Sequence, residues 1–122
     1  MLKVTYENKN NIQIVHFSGD LTSNNVKYIK KDLLLGKEAL CNHIFDFTHL
    51  EIIDSTGLSY IINSLKKTIE SHTQIKLLNL NNQPKMIFEI TRVDSLFETY
   101  DNEEKIMNSF YNKETKNESF GY

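Results

Sequence analysis

The chain has 122 residues, of which 39% are hydrophobic and 25% charged, and its formal net charge is −2. This composition is typical of one globular domain of ordinary size and excludes a chain that is disordered throughout. The slight acidic excess argues against a protein that binds nucleic acid by neutralising phosphates. The single cysteine, Cys41, excludes an intramolecular disulfide and favours a reducing compartment. No stretch has the length and hydrophobicity of a signal peptide or a membrane span, so we expect a cytoplasmic protein that does not contact a membrane.

The first half of the chain predicts a hairpin, a helix and a buried strand. Leu2, Val4 and Tyr6 alternate with polar residues, as in an edge strand with one buried face. The turn signal "NKNN" then precedes a second strand, "IQIVHFSG". The segment "TSNN" offers N-cap residues for a helix over 24–35, and "HIFDF" (43–47) is typical of a buried central strand.

The second half predicts helices that alternate with strands. One apolar stripe at helical spacing predicts the best-defined helix, and its members are Leu58, Ile61, Ile62, Leu65 and Ile69. "IKLLNL" (75–80) predicts a buried strand, Pro84 fits the first turn of a short helix, and "SLFETY" predicts a last short strand. Acidic residues begin a final helix, whose predicted apolar contacts are Ile106, Met107, Phe110 and Tyr111.

The order of these elements, β-β-α-β-α-β-α-(β)-α, predicts an α/β domain over residues 1–112. We expect a mixed, mostly parallel sheet of four to five strands that begins with an antiparallel hairpin. About four α-helices would pack against this sheet. Residues 113–122 are polar and predict a flexible C-terminal tail.

The segment Asp54-Ser55-Thr56-Gly57 lies at the predicted start of the best-defined helix. A helix N-terminus favours negative charge, so a hydroxyl there can cap the helix or accept a phosphate without disturbing the fold. A phosphate would change the outer surface from polar to strongly anionic. Gly57 costs stability in a first helical turn, which indicates the close approach of another surface or of a neighbouring strand, with tight packing inside the domain as the alternative.

The stretch "IIDSTGLSYIINSLKK", preceded by "HIFDF", resembles the signature of the STAS-domain family, in particular the bacterial anti-sigma factor antagonists. "VHFSGDLT" is similar to the second strand of that family and the beginning of its first helix. The resemblance in element order extends from residue 2 to about residue 111 and implies a STAS-like fold. It further implies a transcription regulator that works by partner switching. The unphosphorylated protein would sequester an anti-sigma factor with Ser/Thr kinase activity and so release a sigma factor, and a PP2C-type phosphatase would reset the phosphoprotein.

The resemblance implies that Ser55 is the phosphoacceptor, with Thr56 as the alternative. The residues implied to bind the partner are Asp54, Ser55, Thr56, Gly57, Leu58, Thr22, Ser23 and Asn24. It implies neither a cofactor nor a metal, and no direct contact with nucleic acid. The alternative within the same family is a constitutive docking subunit of a sensor or membrane-transport complex, in which the motif hydroxyl is contacted but never phosphorylated.

An enzyme is the rival hypothesis from another class. Ser55, His49 and either Asp46 or Asp54 could be arranged on paper as a nucleophile, a base and an orienting group. The sequence lacks a Gly-x-Ser-x-Gly elbow and an evident oxyanion loop, so we predict that the protein is not an enzyme. The four histidines are scattered without the paired spacing of metal ligands. The sequence leaves the oligomeric state open.

Overall fold

The computed structural model describes residues 1–29 and 41–120, with 112–120 as backbone only. Its five strands are Leu2–Lys9 (β1), Ile12–Leu21 (β2), Asn42–Ile53 (β3), Ile75–Leu78 (β4) and Thr99–Tyr100 (β5). The α-helices of this part of the chain are Ser55–Glu70 (α1), Asn82–Ile90 (α2) and Glu103–Phe120 (α3). Two short 3-10 segments, Val26–Tyr28 and Val93–Leu96, complete the described elements.

The strands form one sheet in the order β1-β2-β3-β4-β5. β1 is antiparallel to β2, and the other neighbours are parallel, so the predicted mixed sheet with an opening hairpin is confirmed. The hairpin turns at Asn10 and Asn11, whose φ angles of 54° and 63° are those of a type I′ turn. Asparagine tolerates this left-handed conformation better than most residues, which explains the turn signal in the sequence.

The two faces of the sheet carry separate apolar clusters, because neighbouring residues of a strand point to opposite faces. On one face, aromatic residues of β2 and β3 pack against α1 and α2; this cluster includes Phe17, Phe45, Phe47, Leu58, Ile61 and Phe88. On the other face, α3 covers a smaller cluster that includes Ile14, Ile44, Leu78, Ile106, Met107 and Phe110. The predicted contacts of α3 are therefore confirmed, except that Tyr111 is 46% exposed.

Two sequence predictions differ from the structure in detail. The predicted helix over 24–35 is a single 3-10 turn at Val26–Tyr28 within the described residues, and its continuation over 30–40 lies outside them. The predicted strand 43–47 is longer, since β3 continues to Ile53. The backbone of α3 continues to Phe120, while the flexibility of the tail from residue 113 stays a prediction.

The buried face of α1 is rotated from the predicted stripe. Ile69 is 62% exposed, so its assignment to the core is wrong. Ser64 and Thr68 are buried in its place. Their hydroxyls donate to the carbonyl oxygens of Tyr60 and Leu65, at 2.9 and 2.7 Å, and these bonds let polar side chains lie against the sheet.

Candidate functional site

Asp54 connects the end of β3 to the beginning of α1. Ile53, the last residue of β3, is buried, and Asp54 follows it in an extended conformation with φ −111° and ψ −174°. The Asp54 Oδ1 atom accepts the Gly57 N–H at 2.9 Å, as an N-cap does. Such a cap stabilises a helix by about 1 kcal/mol, so the aspartate explains why the helix begins at Ser55.

The second carboxylate oxygen of Asp54 binds the loop that follows β2. Oδ2 accepts the Ser23 N–H at 2.9 Å, and the Asp54 N–H donates to the Leu21 carbonyl oxygen at 3.3 Å. The loop itself is a turn in which the Thr22 carbonyl oxygen accepts the N–H of Asn25 at 2.9 Å. One side chain therefore brings together the two segments that were predicted to form the partner surface, residues 22–24 and 54–58.

The hydrogen bonds to Asp54 keep its carboxylate charged. Partial burial acts to raise the pKa of this carboxyl group. The N–H groups of Gly57, Ser23 and Thr56 and the hydroxyl of Ser23 together outweigh that effect, and the pKa lies below its ordinary value. The site consequently holds a fixed negative charge at neutral pH, next to the positive end of the α1 dipole.

Ser55 and Thr56 are exposed on the first turn of α1. Ser23 and Asn24 are also exposed, in the loop that Asp54 holds against this turn. These four side chains and the Asp54 carboxylate form a continuous polar surface, which we call the Ser55 surface. A hydroxyl that projects from it is accessible to another protein.

Gly57 and Leu58 lie beneath the Ser55 surface. A Cβ atom at position 57 would be 2.1 Å from the Leu21 carbonyl oxygen, which confirms the close approach of a neighbouring strand inside the domain. Leu58 is 7% exposed and belongs to the core cluster. In this conformation the two residues position Ser55 and Thr56, and their predicted contact with a partner stays a prediction.

Gln83 on α2 supports the site in a way that the sequence did not indicate. Its side-chain oxygen accepts the Ile53 N–H at 2.9 Å, and its amide nitrogen donates to the Ile53 carbonyl oxygen at 3.0 Å. The amide thus takes the place of a neighbouring strand at the last residue of β3. No local sequence pattern around a glutamine near a helix start reveals a hydrogen-bond partner 30 residues away.

The described hydrogen bonds do not form the possible catalytic arrangement of Ser55, His49 and an aspartate. Asp46 binds His16 at 2.6 Å and the Thr48 N–H at 3.0 Å, while Asp54 binds Gly57 and Ser23. Neither aspartate is joined to His49 or Ser55 by a hydrogen bond of the described residues. Within the same ranges, no group of three or more His, Cys, Asp and Glu side chains converges as metal ligands. None of the described helices is long and apolar enough to cross a membrane.

The fold and the sequence motif define the family. The model of the STAS domain matches residues 3–106, so the chain belongs to the STAS domain family. No curated protein sequence matches the chain.

Solved structures share this fold at low sequence identity. A proposed anti-sigma factor antagonist from Thermotoga maritima is 22% identical, with a TM-score of 0.79 over 87% of this chain and 92% of its own. The phosphorylated form of SpoIIAA from Bacillus, a cell fate determinant, is 17% identical, with a TM-score of 0.68 over 88% and 99% of the two chains. SpoIIAA is also known unphosphorylated, as an anti-sigma factor antagonist. A sulfate transporter family protein from Wolinella succinogenes is 15% identical, with a TM-score of 0.68 over 81% and 84%.

Proposed function

We propose that this protein is an anti-sigma factor antagonist whose binding is switched by phosphorylation of Ser55. The unphosphorylated protein captures an anti-sigma factor that is also a Ser/Thr kinase, and the sigma factor is released. The kinase phosphorylates Ser55 and dissociates from the protein. A PP2C-type phosphatase then restores the form that binds. The observation that carries this proposal is the bridge from Asp54 to Ser23, which sets the exposed Ser55 beside a second exposed loop.

The electrostatics of the Ser55 surface support a switch directed at a partner. A phosphoserine carries about −1.5 to −2 charges at neutral pH, and here it would add to the Asp54 carboxylate. The positive end of the α1 dipole offsets part of this charge within the domain. A partner that packs on the neutral Ser55 hydroxyl would have to desolvate the phosphate, so binding weakens while the fold persists.

SpoIIAA supports this proposal, because it shares the fold and has been solved both as an unphosphorylated anti-sigma factor antagonist and in a phosphorylated form. We extend phosphorylation to this chain on the basis of the Asp54-Ser55-Thr56-Gly57 segment and its place at the start of α1.

The decisive binding experiment compares Ser55→Asp with Ser55→Ala, using the anti-sigma factor kinase of the same organism. Ser55→Asp should weaken binding by more than about tenfold, or about 1.4 kcal/mol, while Ser55→Ala binds like wild type. Thr56→Asp is the matched control, one residue along the same turn, and should have the smaller effect. All variants should unfold within about 0.5 kcal/mol of wild type. Equal affinity of Ser55→Asp and wild type contradicts the switch, and a larger loss for Thr56→Asp moves the phosphoacceptor to Thr56.

The structural match to a sulfate transporter family protein favours one second candidate, a constitutive docking subunit of a sensor or membrane-transport complex. The Ser55 surface would then be a contact that is never modified. Peptide mass spectrometry of the protein from its own cells separates the two. Phosphate on Ser55 supports the switch, whereas an unmodified Ser55 under every growth condition supports the docking subunit.

A further inference from the structure

β1 is a long outer strand of the sheet. It has eight residues, its register with β2 is regular throughout, and none of the described strands pairs with its other side. It contains no proline, and among the described strands only β2 hydrogen-bonds to it, while the Lys9 ammonium group on its last residue binds Glu103 of α3 at 3.2 Å. The backbone groups of such an edge can pair with another strand, and proteins control that pairing with bulges, prolines, covering segments or charged side chains, of which β1 has Lys3, Glu7 and Lys9.

The backbone alternation shows which residues face the outer side. The Asp20 N–H donates to the Met1 carbonyl oxygen at 2.9 Å, so Met1 directs its backbone toward β2. In an antiparallel pair this orientation alternates along the strand. The odd-numbered residues therefore bond to β2, and the even-numbered residues, beginning with Leu2 and Val4, direct their N–H and C=O groups to the outer edge.

We propose that β1 pairs with β1 of a second copy of this chain, antiparallel, about a two-fold axis at Thr5. In this register Lys3 lies opposite the second copy's Glu7, and Glu7 lies opposite the second copy's Lys3. Val4 lies opposite the second copy's Tyr6 on the other face. Opposite charges and aromatic–β-branched pairs directly across an antiparallel pair are both stabilising. The even-numbered residues then bond to even-numbered residues, as the backbone alternation requires. The result is a continuous ten-stranded sheet made of two five-stranded ones.

The charges select this register over its neighbours. The backbone alternation allows only shifts by two residues. One such shift puts Lys3 opposite the second copy's Lys9, and the other puts Lys3 opposite Thr5, so both lose the pairing of Lys3 with Glu7. The Glu7 and Lys3 side chains already suit the register that places them opposite each other. Glu7 is held by the His16 Nε2 atom at 2.8 Å and is 47% exposed, and Lys3 forms no ion pair with any described residue.

We expect a weak dimer, because one strand from each copy buries less than the roughly 1,200 Å² of a standard interface. Wild type should shift from monomer to dimer in sedimentation velocity between about 1 μM and about 1 mM. A monomer throughout this range overturns the proposal, including the case in which the edge accepts a strand from a different protein.

Disulfide trapping tests the register. In a Cys41→Ser background, which removes the only native cysteine, Thr5→Cys places two thiols across the two-fold axis. The Cα atoms of such a non-hydrogen-bonded pair are about 4.5 Å apart, a separation that a disulfide spans. Lys3→Cys is the matched control, since position 3 is also exposed but its two copies would be about 13 Å apart. Thr5→Cys should cross-link at least about tenfold faster under mild oxidation, and equal rates overturn the register.

Charge exchange gives a second test that separates pairing from folding. Lys3→Glu and Glu7→Lys each place like charges opposite each other twice, and each should raise the dimer dissociation constant by about tenfold. An equimolar mixture of the Lys3→Glu and Glu7→Lys variants restores both attractive pairs in the mixed dimer. It should dimerise at least as well as wild type. A mixture that stays monomeric, with circular dichroism showing both variants folded, overturns the proposal. None of these measurements involves an anti-sigma factor, so their outcome is independent of the proposed function.

Discussion

At the first turn of α1, position 57 has no room for a side chain. The Leu21 carbonyl oxygen and the Ile53 side chain lie 2.1 and 2.9 Å from where a Cβ atom would be. Leu21 ends β2 and directly precedes the 22–25 loop, so this contact also sets the distance between the loop and the helix. The glycine is therefore needed for packing and, through packing, for the geometry of the Ser55 surface.

Gly57→Ala should lower the free energy of unfolding by about 1 to 3 kcal/mol, because a backbone carbonyl must move to admit the methyl group. This loss goes against helix propensity, which favours Ala over Gly by up to about 1 kcal/mol. Urea unfolding measures the change, and Ser59→Ala, on an exposed position of the same helix, is the control expected within about 0.5 kcal/mol of wild type. A Gly57→Ala variant as stable as wild type would show that the Leu21 carbonyl group can move at little cost in free energy.

The sequence indicated one half of the site and could not indicate the other. The helix start and the exposure of Ser55 follow from a local pattern and were predicted, although the cap is the Asp54 carboxylate and not a hydroxyl. The bonds from Asp54 to Ser23 and from Gln83 to Ile53 join residues 31 and 30 positions apart. These bonds depend on how far β2 and β3 extend and on where α2 begins. The local spacing of apolar and polar residues does not determine these boundaries.

At the scale of single elements, α3 is held to the sheet by a buried lysine. Lys76 on β4 is 1% exposed and lies within the apolar segment "IKLLNL". Its Nζ atom donates to the Ser109 hydroxyl at 2.9 Å and forms an ion pair with Glu98 at 3.1 Å. The same atom lies 4.4 Å from the ring centre of Phe110, so the aliphatic stem and the charge both contact α3.

Lys76→Met should leave the stability within about 1 kcal/mol of wild type, because an apolar side chain of similar length keeps the packing and half-exposed Glu98 can be hydrated. Lys76→Ala should cost at least about 2 kcal/mol through the cavity that it leaves beside Phe110. Both values come from urea unfolding, with Lys105→Met on an exposed position of α3 as the control for a lost charge. If Met costs as much as Ala, the contacts of the ammonium group with Ser109 and Phe110, rather than the packing of the aliphatic stem, hold α3.

Element existence was easier to predict than element faces. The alternation of Leu2, Val4 and Tyr6 and the helical spacing after Gly57 indicated β1 and α1, because secondary structure follows from local periodicity. The buried face of α1 was predicted one position away, because the prediction used only apolar residues, whereas Ser64 and Thr68 are buried with their hydroxyls bonded to the helix backbone. The hydroxyl groups could not be assigned to the core before the contact with the sheet was known.

At the scale of the whole molecule, one charged network joins three strands. His16 on β2 binds Asp46 on β3 through Nδ1 at 2.6 Å and Glu7 on β1 through Nε2 at 2.8 Å. An imidazole whose two nitrogens both donate to carboxylates is protonated. Burial acts to lower the pKa of His16, but the hydrogen bonds and charges of Glu7 and Asp46 outweigh it, and the pKa is raised above its ordinary value of 6.5. The network ties the outer strand β1 to the parallel part of the sheet.

This network predicts a stability that depends on pH. A histidine whose pKa is higher in the folded than in the unfolded chain adds stability that is complete below about 6.5 and is lost as the pH rises through the folded value. Relative to His16→Gln, wild type should therefore lose stability as the pH is raised above about 6.5. The loss should be about 1 kcal/mol or less, because the pair with Glu7 is exposed and screened by salt.

Urea unfolding at a series of pH values measures this difference, and His49→Gln is the matched control, since His49 is exposed and bonds to neither Glu7 nor Asp46. The His49→Gln variant should follow the pH profile of wild type, while His16→Gln should be flatter across the same window. High salt should reduce the difference, because part of it is the attraction between His16 and the exposed Glu7. Parallel profiles for wild type and His16→Gln would mean that the bonds of His16 to Glu7 and Asp46 add no pH-dependent stability to the attachment of β1.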